Sequence, residues 1–139
     1  MSKNAIIALL VLLFAYTGFS KFFALQAFTG TMYNQPIPHW MAAPLVGLIP
    51  VAEVTAAGCL LFKKTQRTGL YLSLLLLILF TLYIAAILLH FFRRTPCSCG
   101  GIFRNLSWQQ HLWVNLLLLA FTAIAITRRP ISSYLSPLN

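Results

Sequence analysis

Cys97-Ser98-Cys99, followed by Gly100-Gly101, is the part of this chain best suited to covalent chemistry. Thiols one residue apart have Cα atoms separated by about 5 to 7 Å, overlapping the roughly 4.4 to 6.8 Å that a disulfide requires. The ring so closed is small and its dihedral angle is hard to make ideal, and strain of that kind raises the reduction potential and makes the bond labile. Closing so short a loop removes little chain entropy, so a bridge within the tripeptide adds little stability. Arg93 and Arg94 precede the pair, Arg104 follows it, and no carboxylate lies nearby; that setting favours the thiolate. Gly100 and Gly101 free the backbone to close the ring and admit a partner, while Pro96 stiffens the approach. Thiol–disulfide exchange is the favoured chemistry. Two others stay open: binding of a soft metal such as copper(I) or zinc with help from His90 or His111, and an inert pair of loop thiols.

A second constellation is electrostatic. Glu53 is the single acidic side chain in the sequence, and it falls within an apolar run, where an unpaired carboxylate costs roughly 2.5 to 3.5 kcal/mol on insertion scales. It must be paired, protonated or hydrated. Lys21 is the natural partner, and Gly18 on the same helical face allows another helix to come close. Counted along the helices, Lys21 lies one to two turns nearer the outer surface than Glu53. Pro50, one turn above Glu53, and the reach of the lysine stem can close that gap. The pair reads first as a lock on helix register, with proton movement or substrate binding as the other role. Cys59 lies too deep to reach the other two cysteines and reads as a small interface residue beside Gly58.

These groups must be positioned by membrane helices. Sixty per cent of residues are apolar and eight per cent charged, and four runs are long enough to cross a hydrocarbon core, which takes roughly 20 residues: 5–25, 41–62, 69–92 and 111–127. The expected architecture is an all-α integral membrane protein, an antiparallel four-helix transmembrane bundle forming one domain over residues 1–139. The first run carries Lys21 near its far end and lacks a small-x-small cleavage site, so it reads as a retained helix and not a secretory signal. The net charge of +9 lies in the breaks between runs, which argues for topology and against nucleic acid. Lys3, Lys63, Lys64, Arg67, Arg128 and Arg129 flank one side, so the positive-inside rule puts both termini in the cytoplasm. The connections 26–40 and 93–107 then face outward, on the oxidising side where disulfides belong; the expected location is a bacterial inner membrane.

The fourth run opens with Ser107-Trp108-Gln109-Gln110, an S-x-x-Q capping box. Trp108, His111 and Asn115 follow on one face at spacings of three and four. That stripe lines a cleft beneath the thiols or anchors the helix at the interface, with anchoring favoured for Trp108 and His111. His90, at the end of the third run, is a proton carrier or a bystander. The chain has no phosphate-cradling glycine loop and no Asp for a triad.

Together, Gly18-x-x-Lys21, Ala52-Glu53, Gly58, the basic turn after them and above all Pro96-Cys97-Ser98-Cys99-Gly100-Gly101 resemble the MauE/DoxX group of redox-associated membrane proteins over nearly the whole chain. The CxC before the last span is similar to MauE in particular. The resemblance implies a four-helix membrane protein that works with a periplasmic thioredoxin-like partner, forming disulfides during methylamine dehydrogenase maturation. It implies Cys97 and Cys99 as the redox pair and Lys21 and Glu53 as the intramembrane polar pair; the auxiliary parts of His90, Arg93, Arg94 and His111 rest on the reading of the residues and not on the resemblance. By a looser fold-level analogy to four-helix disulfide-forming enzymes, a quinone is a candidate electron acceptor. This chain has CxC where those enzymes have CxxC and lacks their second cysteine pair. The reading from a different class is a non-catalytic subunit that scaffolds an envelope complex.

Overall fold

The computed structural model describes residues 2–35, 37–89 and 108–128, and is all-helical over them. Five helices follow in order: α1 (Lys3–Phe23), α2 (Leu25–Tyr33), α3 (His39–Leu61), α4 (Gln66–Leu88) and α5 (Trp108–Thr127). Four of them, α1, α3, α4 and α5, are long and apolar enough to cross a membrane. They contain 21, 23, 23 and 20 residues, and so span roughly 30 to 35 Å at about 1.5 Å per residue. Large apolar side chains such as Leu12, Leu48, Leu82 and Trp113 are exposed around the outside, as expected where lipid and not water is the neighbour.

Each spanning helix starts two or three residues before its apolar run: Lys3, His39, Gln66 and Trp108, against the expected Ala5, Met41, Gly69 and His111. Backbone hydrogen bonding does not stop where the hydrocarbon stops. Ser2 shows this at α1, where its hydroxyl accepts from the Ala5 amide at 3.2 Å and caps the helix. Helix α4 ends at Leu88; the expected extension to Phe92, and the capping role of Ser107, lie outside the described residues.

Helix α1 packs chiefly on α3, α3 also on α4, α4 on α5, and α5 back on α1, which closes a four-helix ring. Ile6, Leu10, Phe14, Ala56, Leu60, Leu70, Leu77, Leu118 and Ala125 form its shared core. Two glycines permit the tightest approaches. A Cβ on Gly18 would sit 2.7 Å from Val54 Cγ2 and 3.3 Å from Glu53 Cβ, and one on Gly69 would sit 2.8 Å from the Leu60 amide nitrogen. Small residues at a helix contact let backbones come this close, which matters in lipid, where van der Waals packing carries much of the association. Cys59 is half-buried and lies against Gly69, so its interface role is with α4. Gly58 has open space where a Cβ would be and takes no part. The fully buried Ser73 and Thr122 each donate to the carbonyl four residues back, Gly69 and Leu118, at 2.7 Å, so neither hydroxyl is stranded in an apolar core.

Part of the segment expected as an outward loop, residues 26–40, is instead helix α2. The chain breaks at Ala24 (φ −117°, ψ 46°) and then coils again. Phe28 and Met32, four apart and therefore on one face, are buried with Ala42, and Ile37, Leu45, Val46 and Ile49 pack around them. A nine-residue helix is marginal alone; this apolar contact with the first half of α3 supplies what its own sequence lacks. Its far end is tied by Gln35, which is buried and accepts a hydrogen bond from the Tyr83 hydroxyl of α4.

Among the described residues, the two ends of the bundle differ in charge. At one end, Lys3 Nζ donates to the Arg128 carbonyl at 3.2 Å, joining the start of α1 to the end of α5. The same end holds the turn between α3 and α4, with Lys63, Lys64 and Arg67. There Thr65 Oγ1 donates to the Cys59 carbonyl at 2.9 Å and Gln66 Nε2 to the Leu60 carbonyl at 3.3 Å, closing the last turn of α3. The opposite end carries α2, the start of α3, the end of α4 and the start of α5.

Candidate functional site

Lys21 and Glu53 meet inside the bundle. Lys21 Nζ is 2.9 Å from Glu53 Oε2 and 3.0 Å from Oε1, and its remaining hydrogen reaches the Thr17 carbonyl at 3.3 Å. All three N–H bonds of the ammonium thus have acceptors. The side chains are 17 % and 3 % exposed. The Thr17 hydroxyl, on the same turn of α1, donates to the Leu13 carbonyl at 2.9 Å. The Phe28 ring of α2 covers the ammonium, its centroid 5.7 Å from Nζ, a distance at which the ring face attracts a cation.

The mismatch in depth between the two residues is closed by the direction of helical side chains, which lean toward the N-terminus of their own helix. Gly18 lies against Glu53 and Val54, so Lys21 is about one turn beyond the level of Glu53. In α1 the lysine leans back toward Thr17; in the neighbouring α3 the glutamate leans toward the start of its own helix and so toward Lys21. Pro50, buried within α3, removes one backbone donor a turn before Glu53.

What this arrangement does chemically is neutralise the chain's one acidic side chain where water is scarce. Removing one partner of a buried pair leaves an uncompensated charge, at a cost of about 3 to 5 kcal/mol. Neighbouring residues that the sequence reading did not single out complete the site: Thr17, Phe28, Gln35 and Tyr83. Thr17 is four residues before Lys21 and was legible as a same-face neighbour. Phe28 and Gln35 depend on α2.

Of the remaining sequence-predicted residues, His111 is half-buried with Nε2 inside the protein surface. It heads a face of α5 that continues through the half-buried Asn115 to the buried Leu118, Thr122 and Ala125, so that face turns toward the bundle. At the same end of the molecule His39 meets the Tyr33 ring edge-on, centroids 5.4 Å apart. Cys97, Cys99, His90, Arg93, Arg94 and Arg104 lie outside the described residues, as does the side chain of Trp108. Among the described residues, no three metal-binding side chains come together.

Four apolar spans, a short helix over an intramembrane Lys–Glu pair and a CxC before the last span are the features to set against known proteins. Residues 2–128 match the family described as methylamine utilisation protein MauE. The chain belongs to the MauE family. The match spans all five helices, so the Lys21–Glu53 pair and the Cys97/Cys99 connection both fall within the MauE region. No curated protein and no solved structure matches the chain.

Proposed function

We propose that this MauE-family protein is a membrane-embedded thiol–disulfide exchange component, with Cys97 and Cys99 as the reacting pair and a periplasmic thioredoxin-like protein as partner. The observation that carries the reading is topological. Helix α4 ends at Leu88 and α5 resumes at Trp108 beside it, so the connection bearing the CxC leaves and re-enters the bundle at the end opposite Lys63, Lys64 and Arg67. With the basic end in the cytoplasm by the positive-inside rule, that connection belongs to the periplasmic side of a bacterial inner membrane, where disulfides persist.

In the exchange, a partner thiolate attacks one sulfur of the Cys97–Cys99 disulfide and forms a mixed disulfide, releasing the other as a thiolate that takes up a proton. The partner's second thiolate, having lost its proton, then attacks the mixed disulfide. The partner leaves with a disulfide and Cys97 and Cys99 end as two thiols, two electrons and two protons having moved. The reverse direction follows the same path. Cys97, nearer Arg93 and Arg94 in sequence, is the favoured point of attack. Lys21 and Glu53 hold α1 against α3 in this scheme and stay outside the electron path. The maturation of methylamine dehydrogenase is the process in which we place the exchange, and a quinone is the candidate class for a terminal acceptor.

The test is a pair of trapping variants. Cys97→Ser or Cys99→Ser should accumulate a mixed disulfide with a periplasmic thiol protein, visible as a reducible higher-mass band. Capture from neither position, together with full function of the double variant in cells, would replace this reading by that of a scaffold subunit.

A further inference from the structure

The chain has ten Lys and Arg residues against one acidic side chain, and that carboxylate is consumed internally by Lys21. No acidic side chain is therefore left beside the other Lys and Arg residues. Five of them gather at one end. Lys63, Lys64, Arg67 and Arg128 are exposed, and Lys3 is half-buried with its ammonium on the Arg128 carbonyl. The apolar residues beside these cations are exposed as well: Leu61 and Phe62, 66 % and 67 % exposed, immediately precede Lys63 and Lys64. On α4, Arg67 heads an exposed row that continues one turn at a time through Tyr71, Leu75 and Leu79.

We propose that this end is a binding surface for anionic phospholipids, with phosphate oxygens held by Lys63, Lys64 and Arg67 and an acyl chain lying along Tyr71, Leu75 and Leu79. The charge alone would suit any polyanion. The adjoining apolar row selects among them, because a cation directly above a lipid-facing stripe at the end of a span matches a molecule whose phosphate sits above a hydrocarbon tail. A soluble acidic protein or a free phosphate has nothing to place on that stripe. Arg67 offers a planar fork to phosphate, whereas Lys63 and Lys64 act as mobile point charges. The inference does not depend on the cysteines or on which side of the membrane this end faces.

Native mass spectrometry of the full-length protein in detergent, given phosphatidylglycerol or phosphatidylcholine, tests it. Phosphatidylglycerol should be retained in preference to phosphatidylcholine, and retention should weaken as salt rises. The Lys63→Gln/Lys64→Gln/Arg67→Gln variant should lose on the order of 100-fold in affinity, taking about 1 kcal/mol per basic residue near an anionic surface. Lys63→Arg/Lys64→Arg, which keeps the charge, should retain the lipid and guards against a folding defect. Equal retention of the two lipids, indifference of the unaltered protein to salt, or undiminished retention by the triple glutamine variant would overturn the proposal. Displacement of the lipid by equimolar inorganic phosphate would overturn it too, by marking a soluble-anion site.

Discussion

Glu53 and Lys21 form a closed electrostatic unit, and at the scale of single residues this makes a clear prediction. Glu53→Gln leaves a buried ammonium without its counter-charge, so the detergent-solubilised protein should lose about 3 to 5 kcal/mol of stability, read as a lowered melting temperature. Lys21→Met combined with Glu53→Leu removes both charges and should recover most of that loss, since an apolar pair of similar volume is often as stable as a buried ion pair. If the double variant instead stays folded and loses only thiol exchange in cells, the pair has a chemical role beyond register. Gly18 tests the same contact sterically: Gly18→Val drives methyl groups into Val54 and should cost about 1 to 3 kcal/mol. Gly58→Ala, where nothing lies within 4 Å, should be tolerated. That the lysine and glutamate would need each other was legible from the sequence, because one acid in an apolar run has to be accounted for. How they bridge their difference in depth was not, because residue counting follows backbone rise and ignores the lean of the side chains.

Among the elements, α2 is where sequence and structure part. The four spans were legible as long apolar runs, and only their starts moved, because Lys3, His39, Gln66 and Trp108 are polar or amphipathic residues that hydropathy counts as outside the helix. Helix α2 has no such signature. Thr29, Gly30 and Thr31 read as loop, and the segment coils because Phe28 and Met32 find Ala42 and the first turns of α3, a tertiary effect that a local reading does not contain. With its Phe28 over the ammonium and its end tied through Gln35 to Tyr83, α2 covers the ion pair on the side of the bundle end opposite Lys63 and Lys64. Tyr83→Phe removes that tie. It should speed labelling of Glu53 by a carbodiimide several-fold, and the product is simple to locate by mass because no other side-chain carboxylate exists. An unchanged rate would mean that Phe28 and Met32 hold α2 without the tie.

At the level of the whole molecule, the start of α1, the end of α5 and the α3–α4 turn share one end, and the end of α4 and the start of α5 lie at the other. A single cysteine placed at Lys64 in a Cys-free background should be protected from a membrane-impermeant maleimide in intact cells, while one retained at Cys97 should react. The reverse pattern would invert the proposed orientation and remove the oxidising environment on which the exchange reading depends. The chain's bias toward one sign of charge was plain in its composition. What the fold adds is that the single negative side chain is withdrawn to the interior, which leaves the two outer ends without an acidic side chain.

The 32-residue separation of Lys21 from Glu53 also orders events at the ribosome. The first span leaves the exit tunnel with an ammonium that has no counterpart, and at about 5 to 20 residues per second its neutralising carboxylate follows roughly 2 to 6 s later. Until then that lysine must stay hydrated, so the opening helix can settle into its final depth only once the second full-length span arrives beside it.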